Sequence, residues 1–122
     1  MNISYLLRVT IDGQDRTVRL RVNHWLPRLL GSGGITIGPR TILLKRGLKG
    51  PVRVAPILVC HELVHVAQCL RWGRWTYYRR ALWQRLTIRQ HHARPLEAEA
   101  DGAQTAILRG THPSIFLHNP PW

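Results

Sequence analysis

Acidic side chains are scarce in this chain: six aspartates and glutamates stand against eighteen lysines and arginines over 122 residues. The formal net charge of +12 and a pI near 11.5 point toward an anionic partner, whether nucleic acid, an anionic membrane surface or an acidic protein. Lysine is nearly missing as well. Sixteen of the eighteen basic residues are arginine, which favours bidentate contacts with phosphate or carboxylate. No apolar run approaches the roughly 18 unbroken residues of a membrane-spanning helix, so no transmembrane segment is expected. There are two cysteines, Cys60 and Cys69. Placed on one helix, they lie on opposite faces roughly 13 Å apart along the axis, which excludes a disulfide between them and fits a reducing compartment. No basic leader precedes the short apolar patch of MNISYLLRVTIDGQ and no small-residue cleavage site follows it, so a cytoplasmic location is expected. Internal repeats and low-complexity linkers are missing too, and the length suits one domain over residues 1–122.

The patterning predicts an α+β fold: a small antiparallel sheet, then an active-site helix and a helix bearing glutamates. Residues 1–50 read mainly as strands and loops. SYLLRVTI and RTVRLRV flank the turn-forming DGQD, with Val18, Leu20 and Val22 alternating against Arg19 and Arg21, so a hairpin is expected. NHWLPRLLGSGG reads as a short helical turn or loop, and GITIG and RTILLK as two short strands around Gly38-Pro39. Leu48 to Pro51 form a loop. Residues 51–110 are the helical part. The first helix is predicted from about Val52, or from Ala55 if Pro56 marks its first turn, to Arg71 before Gly73. The second runs from Thr76 to about Arg89, with Tyr78, Leu82 and Leu86 as its apolar stripe. The third runs from Pro95 to Gly110. Residues 111–122 are a proline-rich tail that packs back through Ile115, Phe116 and Leu117.

Within the first helix stands HELVH. Helical residues four apart share a face, so His61 and His65 can aim two imidazoles at one ion while Glu62 projects beside them toward an activated water. A third ligand is needed, and PLEAEAD places Glu97 and Asp101 four apart on one face of the third helix, with Glu99 rotated to the other side. In that register Glu97 is the ligand and Asp101 accepts the spare ring N–H of a ligating histidine, fixing its orientation and tautomer. If Glu99 were the ligand, the supporting position would be Ala103. The three glutamates of the chain, Glu62, Glu97 and Glu99, all fall inside these two motifs.

HELVHVAQ followed by LEAEADGA resembles the gluzincin zinc metallopeptidases, in particular the minimal, minigluzincin-type domains, from about Ile57 to Ile107. The resemblance implies a zincin-like fold with Zn2+ held by His61, His65 and Glu97, Asp101 supporting, and Glu62 as the general base of peptide-bond hydrolysis. It also implies that an edge strand before the active-site helix aligns the peptide or protein substrate by strand addition, and ITIGPRTILLK is the segment expected to supply it. Many relatives add a side chain that steadies the oxyanion; no motif names it, and Tyr77, Tyr78, His91 and His92 are the candidates.

Other readings remain open. His91 and His92, after HELVH, could supply a third histidine ligand, as in SprT-like DNA-associated proteases. RWGRWTYYRRALWQR interleaves arginines with tryptophans and tyrosines, a composition able to stack bases or sit at a membrane surface, although an amphipathic helix with its aromatics in the core carries the same pattern. The alternative of another class is a basic nucleic-acid-binding module whose zinc site is vestigial or structural. Nothing in the sequence fixes the oligomeric state.

Overall fold

The computed structural model describes residues 3–22, 26–27, 33–44 and 55–120. The expected loop at Leu48–Pro51, and 23–34 apart from helical Leu26 and Pro27 and from 33–34, lie outside the described residues.

β1 (Ile3–Ile11) and β2 (Gln14–Val22) form the expected antiparallel hairpin, in register from Ile3↔Val22 to Ile11↔Gln14. Its two-residue turn holds Asp12 at φ 51° and Gly13 at φ 79°. Both residues must occupy left-handed backbone there, and aspartate followed by glycine tolerates it best. One face of the hairpin is apolar: Leu7, Val9, Ile11, Val18, Leu20 and Val22 are buried, while Arg19 and Arg21 point to solvent.

β3 (Gly34–Thr36), β4 (Thr41–Leu44) and β5 (Ile115–Leu117) complete a five-stranded sheet of order β3-β4-β2-β1-β5. The tail packs back as expected, pairing antiparallel with β1, with Ile115 buried and Phe116 turned outward. One pairing differs from the all-antiparallel expectation: β4 runs parallel to β2. A parallel pair cannot be closed by a tight turn, and the stretch between β2 and β4, which includes β3, provides the long crossover. The sheet is therefore mixed, and β3 is its outermost strand on that side.

Three helices follow: α1 (Pro56–Trp72), α2 (Arg74–Thr87) and α3 (Pro95–Arg109), with a single 3-10 turn, His91–Ala93, before α3. Pro56 and Pro95 sit at first-turn positions, where the missing N–H costs no helical hydrogen bond. Val52–Val54, where an earlier start of α1 was conceivable, lie outside the described residues. Gly73, at φ 84°, donates its N–H to Cys69 O (2.9 Å), ending α1 and at once preceding α2. Gly110 closes α3 in left-handed conformation.

A single apolar cluster joins the sheet (Leu7, Val9, Leu20, Ile42, Leu44) to α1 (Val59, Leu63, Val66, Ala67) and α3 (Ala100, Ile107). The α+β expectation, a sheet followed by helices, holds. Cys60 and Cys69 are both free and buried on α1, and burial pushes the Cys60 thiol up to about 12. Among the described residues no helix is long and apolar enough to cross a membrane.

The orientation of α2 departs from expectation. Leu82 and Leu86, read as core stripe, are 58% and 73% exposed, and Trp75 and Trp83 also face solvent. The helix instead turns Tyr77 inward, with Ala81 and Gln84 half-buried on the same side. Residues 77, 81 and 84 keep helical spacing as well as 78, 82 and 86 do, so periodicity alone fits two faces and the packing against Cys69 and Leu96 selects the less apolar one.

Candidate metal centre

His61, Glu62 and His65 lie in the buried middle of α1, and the two imidazoles, one helical turn apart, stand edge to face with centroids 5.1 Å apart. Glu97 enters from the first turn of α3. Its Oε2 lies 2.8 Å from His61 Nε2 and its Oε1 3.2 Å from His65 Nε2, so one carboxylate spans both rings.

The outer ring nitrogens are held by oxygens. His65 Nδ1 is 2.8 Å from Gln68 Oε1, and the Gln68 amide nitrogen donates to Leu96 O at 3.1 Å. That second bond fixes which end of the amide faces the ring, so His65 Nδ1 carries the proton and donates. His61 Nδ1 likewise faces acceptors, Gln104 Oε1 at 2.8 Å and Asp101 Oδ1 at 3.2 Å. With both Nδ1 atoms protonated, each neutral ring aims the lone pair of Nε2 at the Glu97 carboxylate. Acceptor facing acceptor is unfavourable unless a second proton or a cation lies between them.

The titration of the site reflects this. Burial works against a charged His61 ring, but hydrogen bonds to Glu97 and Gln104 and the charges of Glu62 and Glu97 outweigh it and raise the ring to about 9. His65 is raised likewise: burial opposes, and Glu97, Glu62 and Gln68 prevail. Burial also opposes ionised Glu97, yet its bonds to His61 and His65 hold it well below the usual carboxylate range.

Glu62 differs from Glu97. It is buried, and burial raises its carboxyl above the usual range, although His65, the Thr36 hydroxyl and His61 pull the other way. Thr36 Oγ1 lies 2.9 Å from Glu62 Oε2 and 3.0 Å from the Glu62 carbonyl, tying β3 to α1 beside the histidines. Gly34 allows that approach: a Cβ there would stand 3.1 Å from Leu44 Cδ2 and 3.3 Å from Glu62 Cγ.

The remaining candidates separate. His91 Nε2 lies 3.0 Å from Glu97 Oε2, with its ring stacked 6.4 Å from that of His61. Tyr77 is buried with its ring 6.1 Å from His65, and Tyr78 is half-buried beside it. His92 is exposed; it reaches Asp101 at 3.0 Å and stands edge to face with His91, ring centroids 5.7 Å apart. Glu99 points away, 3.6 Å from Arg71. A cleft of about 790 Å³ opens over the site, with β3 from Gly34 to Thr36 on one side, Tyr77, Tyr78 and Ala81 of α2 on another, and His61, Glu62, His65, His91 and Glu97 within it. His92 and Asp101 do not line it.

Two overlapping groups could hold a metal ion, their ligand atoms within 4.8 Å of one another: His61, His91 and Glu97, and His61, Glu62 and His65. In the second group the outer nitrogens of both histidines are already hydrogen-bonded, and two such imidazoles with a carboxylate form a donor set suited to a divalent ion. Comparison with protein-family models, with curated proteins and with solved structures finds no match.

Three residues at the site escaped the sequence reading. Gln68 follows His65 by three and Gln104 follows Glu97 by seven, both same-face helical spacings that could have drawn attention to them. Thr36, 26 residues before Glu62, has no local signal.

Proposed function

We propose that this protein is a zinc-dependent peptidase of gluzincin type, with His61, His65 and Glu97 holding the ion and Glu62 acting as general base. The observation that carries the reading is the Glu97 carboxylate placed against both Nε2 atoms of HELVH, with Glu62 in the same cleft but committed to neither histidine. Zinc is the ion that best suits two imidazoles and a carboxylate with room for substrate, and when bound it supplies Lewis acidity toward a carbonyl and toward water. Around it the chain's own groups act. Glu62 takes a proton from the attacking water as oxygen bonds to the scissile carbon, and returns it to the nitrogen as the C–N bond breaks. Burial raises its carboxyl above the usual range, which strengthens it as a proton acceptor. β3 supplies an outer strand beside the cleft on which an extended peptide can align. His91 and Tyr77 are the groups placed closest to steady a developing oxyanion.

A second ligand set is favoured by one observation, the contact of His91 with Glu97, which would make His91 a ligand as in SprT-like proteases. His91 is 52% exposed and Glu97 20%, and the more buried group is the better-held ligand.

Elemental analysis after zinc reconstitution tests both sets. About one zinc per chain is expected, lost in Glu97→Ala and His61→Ala but retained in His91→Ala and Glu62→Gln. Peptide hydrolysis should fall by about 10²–10⁴ in Glu62→Gln while zinc stays bound. No zinc in the unmodified chain would end the peptidase reading. It would leave the basic module, recognised by salt-sensitive nucleic-acid binding indifferent to a chelator.

A further inference from the structure

The outer face of α2 is built the wrong way round for a helix on a water-soluble surface. Trp75, Leu82 and Leu86 share one stripe at helical spacing, with Trp83 beside it, and they are 79%, 58%, 73% and 67% exposed. The stripe extends about 16 Å along the axis. It lies opposite Tyr77, Ala81 and Gln84, the side that packs inward, so the core makes no use of it. Exposed apolar side chains gathered on one helix face in this way mark an interaction site.

Charge identifies the occupant. From Arg74 to Leu96 the chain carries six arginines and no carboxylate. Arg79 lies within the stripe, Arg85 flanks it and Arg89 follows the helix end; all three are exposed, and exposed Arg80 stacks over the Trp72 ring at 4.5 Å. A second copy meeting this face would set arginines against arginines. A nucleic acid would use the arginines and tryptophans but leave Leu82 and Leu86, which neither stack nor carry charge, at the centre of the contact. An anionic lipid surface uses every component: leucines enter the acyl boundary, indoles sit at headgroup depth, and arginines reach phosphates with their stems laid over apolar surface.

We infer that the outer face of α2, centred on Trp75, Leu82, Trp83 and Leu86, docks in plane onto an anionic bilayer surface. Neither the metal centre nor peptidase activity enters this inference. The opposite side of the same helix lines the cleft, so docking leaves Tyr77 and Ala81 at their places there.

Flotation of the full chain with vesicles tests it, using phosphatidylcholine alone and phosphatidylcholine mixed with phosphatidylglycerol. The protein should float with the mixed vesicles, with and without a chelator, and not with the neutral ones. In Leu82→Ser/Leu86→Ser the partition coefficient should drop at least about tenfold, and in Arg79→Gln and Arg89→Gln about fivefold each. A second measurement needs no variant: lipids brominated in the upper acyl chain should quench tryptophan emission of the unmodified chain. Flotation unchanged in the leucine variant, no quenching by brominated lipid, or no flotation with either vesicle would overturn the inference. So would tight binding of a single-stranded oligonucleotide or of polyglutamate that the leucine variant abolishes, since it would assign the face to nucleic acid or to an acidic protein.

Discussion

α1 and α2 follow one another with only Gly73 between them, yet they are opposites in what they hide. α1 buries eleven consecutive residues from Val59 to Cys69, among them His61, Glu62, His65 and Gln68; α2 buries Tyr77 alone and shows two tryptophans and two leucines to solvent. One helix keeps polar groups inside and the other keeps apolar groups outside. Each inversion is costly in isolation, because buried polar atoms must find partners and exposed apolar area forgoes burial. In α1 every inverted residue is satisfied by a named neighbour, Thr36, Glu97, Gln104 or Leu96 O. In α2 the apolar stripe waits for something outside the chain. A departure from the usual pattern thus points to a site when it is internally compensated and to an interface when it is not.

The sharpest way to test this contrast is the same change made on both helices. Leu63→Ala opens a hole in the joint core of sheet, α1 and α3 and should cost ~2–5 kcal/mol in chemical denaturation. Leu82→Ala should stay within ~0.5 kcal/mol of the unmodified chain. Comparable losses at the two positions would show that α2 is packed against something and dissolve the comparison.

A smaller effect, confined to the inside of α1, is expected at Gln68. Gln68→Ala removes the acceptor that sets the His65 tautomer, and zinc affinity should weaken about 10–100-fold in competition with a chelating dye. Unchanged affinity would mean that the buried amide serves packing and not the metal centre.

The smallest effect concerns a polar atom turned inward elsewhere. His112 Nδ1 faces the backbone N–H groups of Ser114 and Ile115 at 3.1 Å each, so it accepts them only while unprotonated. Burial, and then the charge of Arg71, hold this ring below its ordinary 6.5. The neutral ring therefore contributes stability that is present above pH 6.5 and lost as the pH falls below it. Thermal midpoints of the unmodified chain should fall on acidification through that range more than those of His112→Ala; parallel curves would remove His112 from the account.

Much of this was readable from the chain itself. The turn-forming DGQD, the alternation of Val18, Leu20 and Val22, and the prolines at 56 and 95 are local signals: the hairpin and the start of α3 follow from them, and of the two starts open for α1, Val52 and Ala55, the structure has the later. The spacing of His61, His65, Glu97 and Asp101 was legible for the same reason: helical geometry puts the members of each pair on one face. What was not legible depends on contacts between distant segments. The parallel pairing of β4 with β2 leaves no mark on either strand. Thr36 reaches Glu62 only because the sheet edge closes over α1. The inward face of α2 is chosen by Cys69 and Leu96, and two equally periodic faces competed for that place.

Gly73 couples the two helices mechanically. With a single residue serving as both the stop of α1 and the start of α2, one pair of backbone torsions, together with the packing of Tyr77 on Cys69 and Leu96, sets the angle between the helices. Tyr77 stands about 6 Å beyond that joint, so a rotation of about 10° there displaces the base of the cleft wall by about 1 Å. Positioning errors of that size are the ones to which reacting centres are sensitive. Position 73 therefore bears on the cleft wall at Tyr77: its φ of 84° strains any side chain placed there, although a Cβ would meet nothing within 4 Å.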